Sequence, residues 1–266
     1  MLFRSRGWHE RAAELAQRLG EPGLQAWALS SLAVLLQGLG EPEAARARMA
    51  QAERLSQRDT PPELRLRVRL NQARLEDRRG ESAAALRTLE DSWRQADALP
   101  APRLQAVLLA NLSDLRLRAG RTRDALAAVE RALPMVRAHG DLRFEPLLLF
   151  NGGLARLALG QLRPGRADLA AALQLWDQAG AQGPLREALR QGGDALHAAG
   201  DHREALDWMH RERALAESLD DANRESALRA LRQRQDREAE QQELDRLADE
   251  NRLAVARLSS QQWQRR

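Results

Sequence analysis

Apolar residues recur along this chain in steps of three and four, which puts them on one side of a helix. Leu29, Leu32, Ala33 and Leu36 follow this step, and the same face returns at Leu109 and Leu112, at Leu149 and Gly153, and at Leu189, Gly193 and Leu196. Each stretch ends at a glycine, and a second amphipathic stretch begins just beyond it. Gly40, Gly80, Gly120, Gly160 and Gly200 are forty residues apart. Glycine at the position after a helix end takes positive φ at little cost, so each reads as the tight turn of a helical hairpin. Pro42 and Pro164 suit the first turn of the helix that follows.

The second helix of each hairpin has its own pattern. Five residues past each turn stands a small residue (Ala45, Ala85, Ala125, Gly165, Ala205), and nine past it a larger one (Met49, Leu89, Val129, Leu169, Met209). Small and large neighbours at i, i+4 predict close helix crossing with a knob beside it. The second hairpin fits least well, because Arg69, Gln72 and Glu76 stand where apolar residues are expected. Composition agrees with an all-α chain. Leu, Ala, Arg, Glu and Gln dominate, while strand-favouring residues are scarce and aromatics make up 3%.

The forty-residue pattern resembles the tetratricopeptide repeat (TPR). The Gly turn and the small residue of the second helix match that family, as do the small first-helix residues Ala33, Ala73, Ser113, Gly153 and Gly193. The period departs from the family's usual thirty-four, with extra residues between hairpins at 57–62 and 98–102. The resemblance covers 8–219 and implies a right-handed superhelical solenoid of TPR-like hairpins. It divides the chain into a lone first helix (1–22), five hairpins (23–219) and a long polar helix (220–266). The first helix lacks its expected partner, which reads as truncation of a longer protein.

Beyond Leu219 there is neither Gly nor Pro. Leu228, Leu231, Gln235 and Glu238, then Leu244, Leu247, Asn251, Ala254 and Leu258, step as coiled-coil seam positions do. Three readings stay open: a parallel homodimer through this helix, a solvated helix capping the solenoid, or a fraying, disordered end. Tandem helical repeats followed by such a segment are similar to the sensory half of bacterial TPR-linked diguanylate cyclases and histidine kinases. That resemblance implies a signalling input module, with a membrane span and an output domain beyond Gln261–Arg266.

Charge and candidate chemistry narrow the function. All 42 basic residues are Arg, against 38 acidic ones, a mild excess spread along the chain rather than a nucleic-acid stripe. Without Cys there are neither disulfides nor thiolate metal sites. No stretch has the length of apolar residues that a membrane span needs. Gly192-Gly193-Asp194 is followed by Ala195 and Leu196, so it reads as helix packing rather than a cyclase motif. His9, His139, His197, His202 and His210 lack the spacing of metal ligands on a helix. Asp220-Asp221 reads as helix capping. No nucleophile, phosphate loop or cofactor motif appears, which points to a protein that binds and is not an enzyme, with no cofactor.

The binding candidate is the concave face lined by the first helices of the hairpins. Asn71, Asn111 and Asn151 recur forty apart, with Gln191 next in phase; Arg67 lies one turn before Asn71, and Arg74, Arg78 and Arg118 are near. An Asn amide donates and accepts, so it can hold a peptide backbone, and Arg forks to carboxylates. In some tetratricopeptide proteins Asn and basic residues so placed clamp a terminal carboxylate. Arg67, Asn71 and Asn111 match part of that clamp, while Leu147 and Asn151 depart from it. The competing reading makes the Asn ladder a packing device between helices. The expected partner is a protein or peptide segment, met by Arg67, Asn71, Arg74, Asn111, Arg118 and Asn151. A complete chain would be cytoplasmic, and a fragment of an anchored sensor periplasmic.

Overall fold

A computed structural model describes residues 2–56, 60–139 and 142–264. It contains eleven α-helices among the described residues: α1 (Leu2–Arg18), α2 (Pro22–Gly38), α3 (Pro42–Leu55), α4 (Pro62–Arg78), α5 (Ser82–Ala96), α6 (Pro102–Arg118), α7 (Thr122–His139), α8 (Glu145–Ala158), α9 (Leu162–Gln178), α10 (Gln182–Ala198) and α11 (His202–Gln264). A 3-10 turn, Leu142–Phe144, precedes α8. No described residue lies in a strand. Successive helices pack as pairs, giving the expected solenoid of TPR-like hairpins.

The hairpin turns close as the glycine spacing predicts. Gly40 has φ 80°, its N–H reaches the Gln37 carbonyl at 3.3 Å, and the next N–H, of Glu41, reaches back to Leu36 at 3.0 Å. This paired return satisfies two of the orphan carbonyls at a helix end. The turns at Gly80, Gly120, Gly160 and Gly200 repeat it, and so do two outside the forty-residue series, at Gly20 and Gly180. Pro22, Pro42, Pro62 and Pro102 each open a helix, where a missing N–H costs nothing.

Below each turn the small residue is sealed. Ala45, Ala85 and Ala125 are 0% exposed and Ala205 is 2% exposed. In the fourth hairpin both crossing positions are glycine. A Cβ on Gly153 would stand 2.6 Å from Leu169 Cγ and 2.9 Å from the Gly165 carbonyl, and one on Gly165 would stand 2.9 Å from Leu157 Cδ2. Gly192 lies beneath the ring of Trp208, which is 2% exposed and donates from Nε1 to Glu204 at 3.1 Å. Gly192 and Gly193 are therefore a packing surface, and Asp194 beside them is exposed.

The second hairpin carries its polar residues across its own seam. Gln72 donates to Glu76 at 3.0 Å, Thr88 donates to Glu76 at 2.9 Å, and Arg69 faces Asp91 at 3.7 Å. Its apolar burial comes from Leu66, Leu70 and Ala73 against α5 and α6, and from Val68 and Leu75 against α2 and α3. At the edge of this seam desolvation raises the Glu53 carboxyl above its ordinary value, and the Glu76 charge raises it further against Arg79.

The described residues up to Met209 form one compact unit, and those from His210 a second. α1 belongs to the first: Ala13 is buried with Ala26, Leu29 and Ala52, and Arg6 pairs with Glu41 at 3.0 Å. α11 runs unbroken through 219 and 220, where the sequence divides hairpin from tail. In the second unit Leu228, Leu231 and Leu247 are exposed. The side chains of Leu244, Asn251, Ala254, Leu258 and the 261–266 segment lie outside the described residues, as does part of the 57–62 linker.

Two outcomes test these packing claims. Gly153→Ala should cost about 1–3 kcal/mol by overpacking, less up to about 1 kcal/mol regained in helix propensity. The melting temperature reads it, with Gly183→Ala in α10, whose Cβ would meet nothing within 4 Å, unchanged or slightly raised. For Glu53, a raised folded pKa means the penalty is full above that pKa and absent below the unfolded one. Glu53→Gln should therefore melt higher than the parent at neutral pH, with the gap closing as pH falls through the carboxylate range.

Candidate functional site

The first helices of the leading hairpins build one large cavity, about 920 Å³. α1 supplies His9; α2 supplies Trp27, Ser31, Val34, Leu35 and Gly38. From α4 come Arg67, Leu70, Asn71, Arg74 and Arg78, from α6 Arg103, Leu104 and Val107, and from the 3-10 turn Arg143 and Phe144. The walls mix apolar and polar side chains, and five of the lining residues are arginines. No carboxylate occurs among the described lining residues.

The arginines are held differently. Arg67 lies over the Trp27 ring, 5.1 Å from its centroid, which spreads positive charge across an aromatic face. Arg78 donates to the Val34 carbonyl oxygen at 3.4 Å. Arg74 keeps more than a third of its surface open, yet protein crowded around it lowers its pKa, and the neighbouring Arg78 lowers it further. Burial also lowers His9, so the imidazole is neutral at neutral pH and the arginines carry the cavity's charge.

The Asn ladder divides by what stands one hairpin earlier. Asn71 is buried and donates to Ser30 Oγ at 3.0 Å and Ser31 Oγ at 3.2 Å. Asn151 is 2% exposed and donates to Ser113 Oγ at 2.8 Å. Asn111 is half-buried and donates to its own helix, at the Val107 carbonyl, 2.8 Å away. Arg118 is exposed and pairs with Asp77 at 2.8 Å and Asp114 at 3.0 Å; the same pairs hold its pKa up, although desolvation alone would lower it. Of the residues the sequence selects, the cavity gathers Arg67, Asn71 and Arg74. Asn111, Asn151 and Arg118 are not among its lining.

Sequence reasoning passed over His9, Trp27, Arg103 and Arg143 in the lining. The forty-residue period contains a signal for three of them: Trp27 is in phase with Arg67, and Arg103 with Arg143. Elsewhere, His197 and His202 approach to 3.0 Å between Nδ1 atoms across the Gly200 turn. No group of three or more potential metal ligands occurs among the described residues. No described helix is long and apolar enough to cross a membrane.

No protein-family model matches the chain, and no curated protein matches it. Solved structures do. BtubC (BKLC) from P. vanneervenii superposes with a TM-score of 0.63 at 20% identity, covering 83% of this chain and 92% of that one. A signal-transduction ATPase with numerous domains and a tetratricopeptide repeat sensor, from Pyrococcus horikoshii, gives 0.60 at 16% identity, covering 81% of this chain and 34% of that one. A putative kinesin light chain with nearly identical TPR-like repeats, from Podospora anserina, gives 0.56 at 16% identity over 74% and 97%. The chain has the tetratricopeptide-type fold, a helical repeat scaffold.

The ladder's packing role is testable. Asn151→Ala leaves Ser113 Oγ, which already donates to the Ala110 carbonyl at 2.8 Å, with an unmet acceptor. The expected cost is about 1–3 kcal/mol by denaturant titration, partly recovered in the Asn151→Ala, Ser113→Ala double variant.

Proposed function

We propose that the chain is a non-enzymatic scaffold that binds a protein or peptide segment on its concave face. The observation that carries this reading is the cavity on α1, α2, α4 and α6, where Arg67, Arg74, Arg78 and Arg103 converge and no carboxylate occurs among the described lining residues. Such a site favours an anionic segment, since guanidinium forks match carboxylate geometry. Apolar Val34, Leu35, Leu70, Leu104 and Val107 take side chains beside those charges. Arg67, Arg74 and Asn71 serve as polar contacts within the cavity. Asn111, Asn151 and Arg118 extend the same face along the solenoid.

A photo-cross-linking residue at Val107 in the full chain tests this. It should trap a partner through a defined segment, and Arg67→Gln with Arg103→Gln should then weaken binding of that segment by about tenfold or more, with a steep salt dependence. Unchanged affinity in the double variant would exclude the cavity as the docking site.

The length of α11 supports a second reading, a sensory input module of a membrane-anchored signalling protein such as a diguanylate cyclase or histidine kinase. Here α11 relays dimerisation, with exposed Leu228 and Leu231 on its seam. Light scattering should give twice the chain mass, falling to the monomer in Leu228→Glu, Leu231→Glu. A monomeric parent at high concentration would sink the relay.

A further inference from the structure

The five cavity arginines differ in what already balances them. Arg67 is spread over Trp27, and Arg78 reaches a backbone carbonyl. Arg74 is set one helical turn from Arg78 on α4, so the two cations share one face. What acts on the Arg74 charge is crowding by protein and repulsion from Arg78, and both oppose it. Arg103 joins the same lining from α6, the next first helix in the row, and no described carboxylate of the lining answers the three.

Two cations held a turn apart on the cavity's lining leave a local excess of positive potential, which an anion relieves. A carboxylate brings one charge and two oxygens. A phosphoryl ester brings up to two charges and three strong acceptor oxygens, enough to take donors from two guanidinium groups at once. The cavity volume of about 920 Å³ leaves room for whatever carries that group. Trp27, under Arg67, and Phe144 line the same cavity.

We infer that the cavity holds a phosphoryl group bridging Arg74 and Arg78, with Arg103 supplied by α6, carried either on the bound segment or by a free phosphate ester. This rests on the concave face being the binding face, and it narrows the ligand's chemistry. Asn71 plays no part in anion capture, because its amide N–H groups are committed to Ser30 and Ser31.

Isothermal titration of the full chain with pyrophosphate at low ionic strength tests the inference. Saturable binding that weakens with added salt is expected. Arg74→Gln and Arg78→Gln should each lower the affinity by about tenfold or more, Arg163→Gln on α9 should leave it unchanged, and glutarate should bind about tenfold more weakly. Arg74→Gln relieves like-charge repulsion and should melt no lower than the parent, whereas Arg78→Gln also gives up the bond to the Val34 carbonyl and should melt slightly lower. Should either fail to fold, Arg74→Lys keeps the charge, loses the fork and should bind with intermediate affinity.

Absent binding, equal affinity for glutarate, or variants that match Arg163→Gln would each overturn the phosphoryl group. The source is read by comparing a phosphoserine pentapeptide with adenosine monophosphate: the tighter one names the carrier. If pyrophosphate fails while the cross-linked partner still loses affinity in Arg67→Gln, Arg103→Gln, the phosphoryl inference falls and the partner reading stands. The reverse pattern removes only the partner reading.

Discussion

Everything in the first unit depends on how closely two helices cross beneath each glycine turn. The turn reverses the chain within three residues, and the small residue five positions later lets the backbones meet. Where that residue is alanine it is sealed completely, at Ala45, Ala85 and Ala125. In the fourth hairpin alanine is already too large, and Gly153 and Gly165 face one another. A hairpin this thin cannot bury its own apolar surface, so each must stack on the next, as in other repeat proteins. Leu75, on α4, accordingly belongs to the core of the preceding hairpin with Leu32, Leu36 and Met49.

Stacking by a fixed step turns sequence period into spatial neighbourhood. A residue on one first helix meets a residue about forty positions earlier on the previous one. Asn71 meets Ser30 and Ser31, Asn151 meets Ser113, Arg78 meets the Val34 carbonyl, and Arg118 meets Asp77. Asn111 lacks such a partner because Leu70, Asn71 and Ala73 stand where a hydroxyl would have to be, so its amide turns to Val107 on its own helix. Polar groups in this row are therefore joints between repeats wherever the earlier repeat offers an acceptor. An asparagine amide is used up by such a joint, whereas a guanidinium with five N–H donors, as at Arg78, keeps others for a ligand.

This explains what could be read from the chain and what could not. The hairpins were legible because glycine turns and helix periodicity are local signals, each fixed within a few residues. The seam of the second hairpin was half legible: Arg69, Gln72 and Glu76 marked a break in the apolar pattern, but not that Thr88 and Asp91 would meet them. For the candidate site the decisive information is non-local. Whether an asparagine is spent depends on a serine forty residues away, and whether Arg118 is neutralised depends on Asp77 in another helix. Trp27, Arg103 and Arg143 share their phases with residues forty away, yet that phase carries meaning only once the row of first helices is known to curve around one cavity.

The exclusive use of arginine also acquires a physical consequence at that cavity, whatever its origin in the genome. Crowding several cations against apolar walls disfavours their charged form. An ammonium so placed gives up its proton readily, and the cavity would turn neutral as it formed. A guanidinium titrates so far above neutral pH that the lowering seen at Arg74 leaves it charged. Burial lowers His9 in the same sense, and because an imidazole starts near neutrality it contributes no charge at neutral pH. The positive field of the concave face is thus insensitive to physiological pH. An anionic ligand gains its selectivity there from the number and geometry of forks it fills, not from the protonation state of the protein.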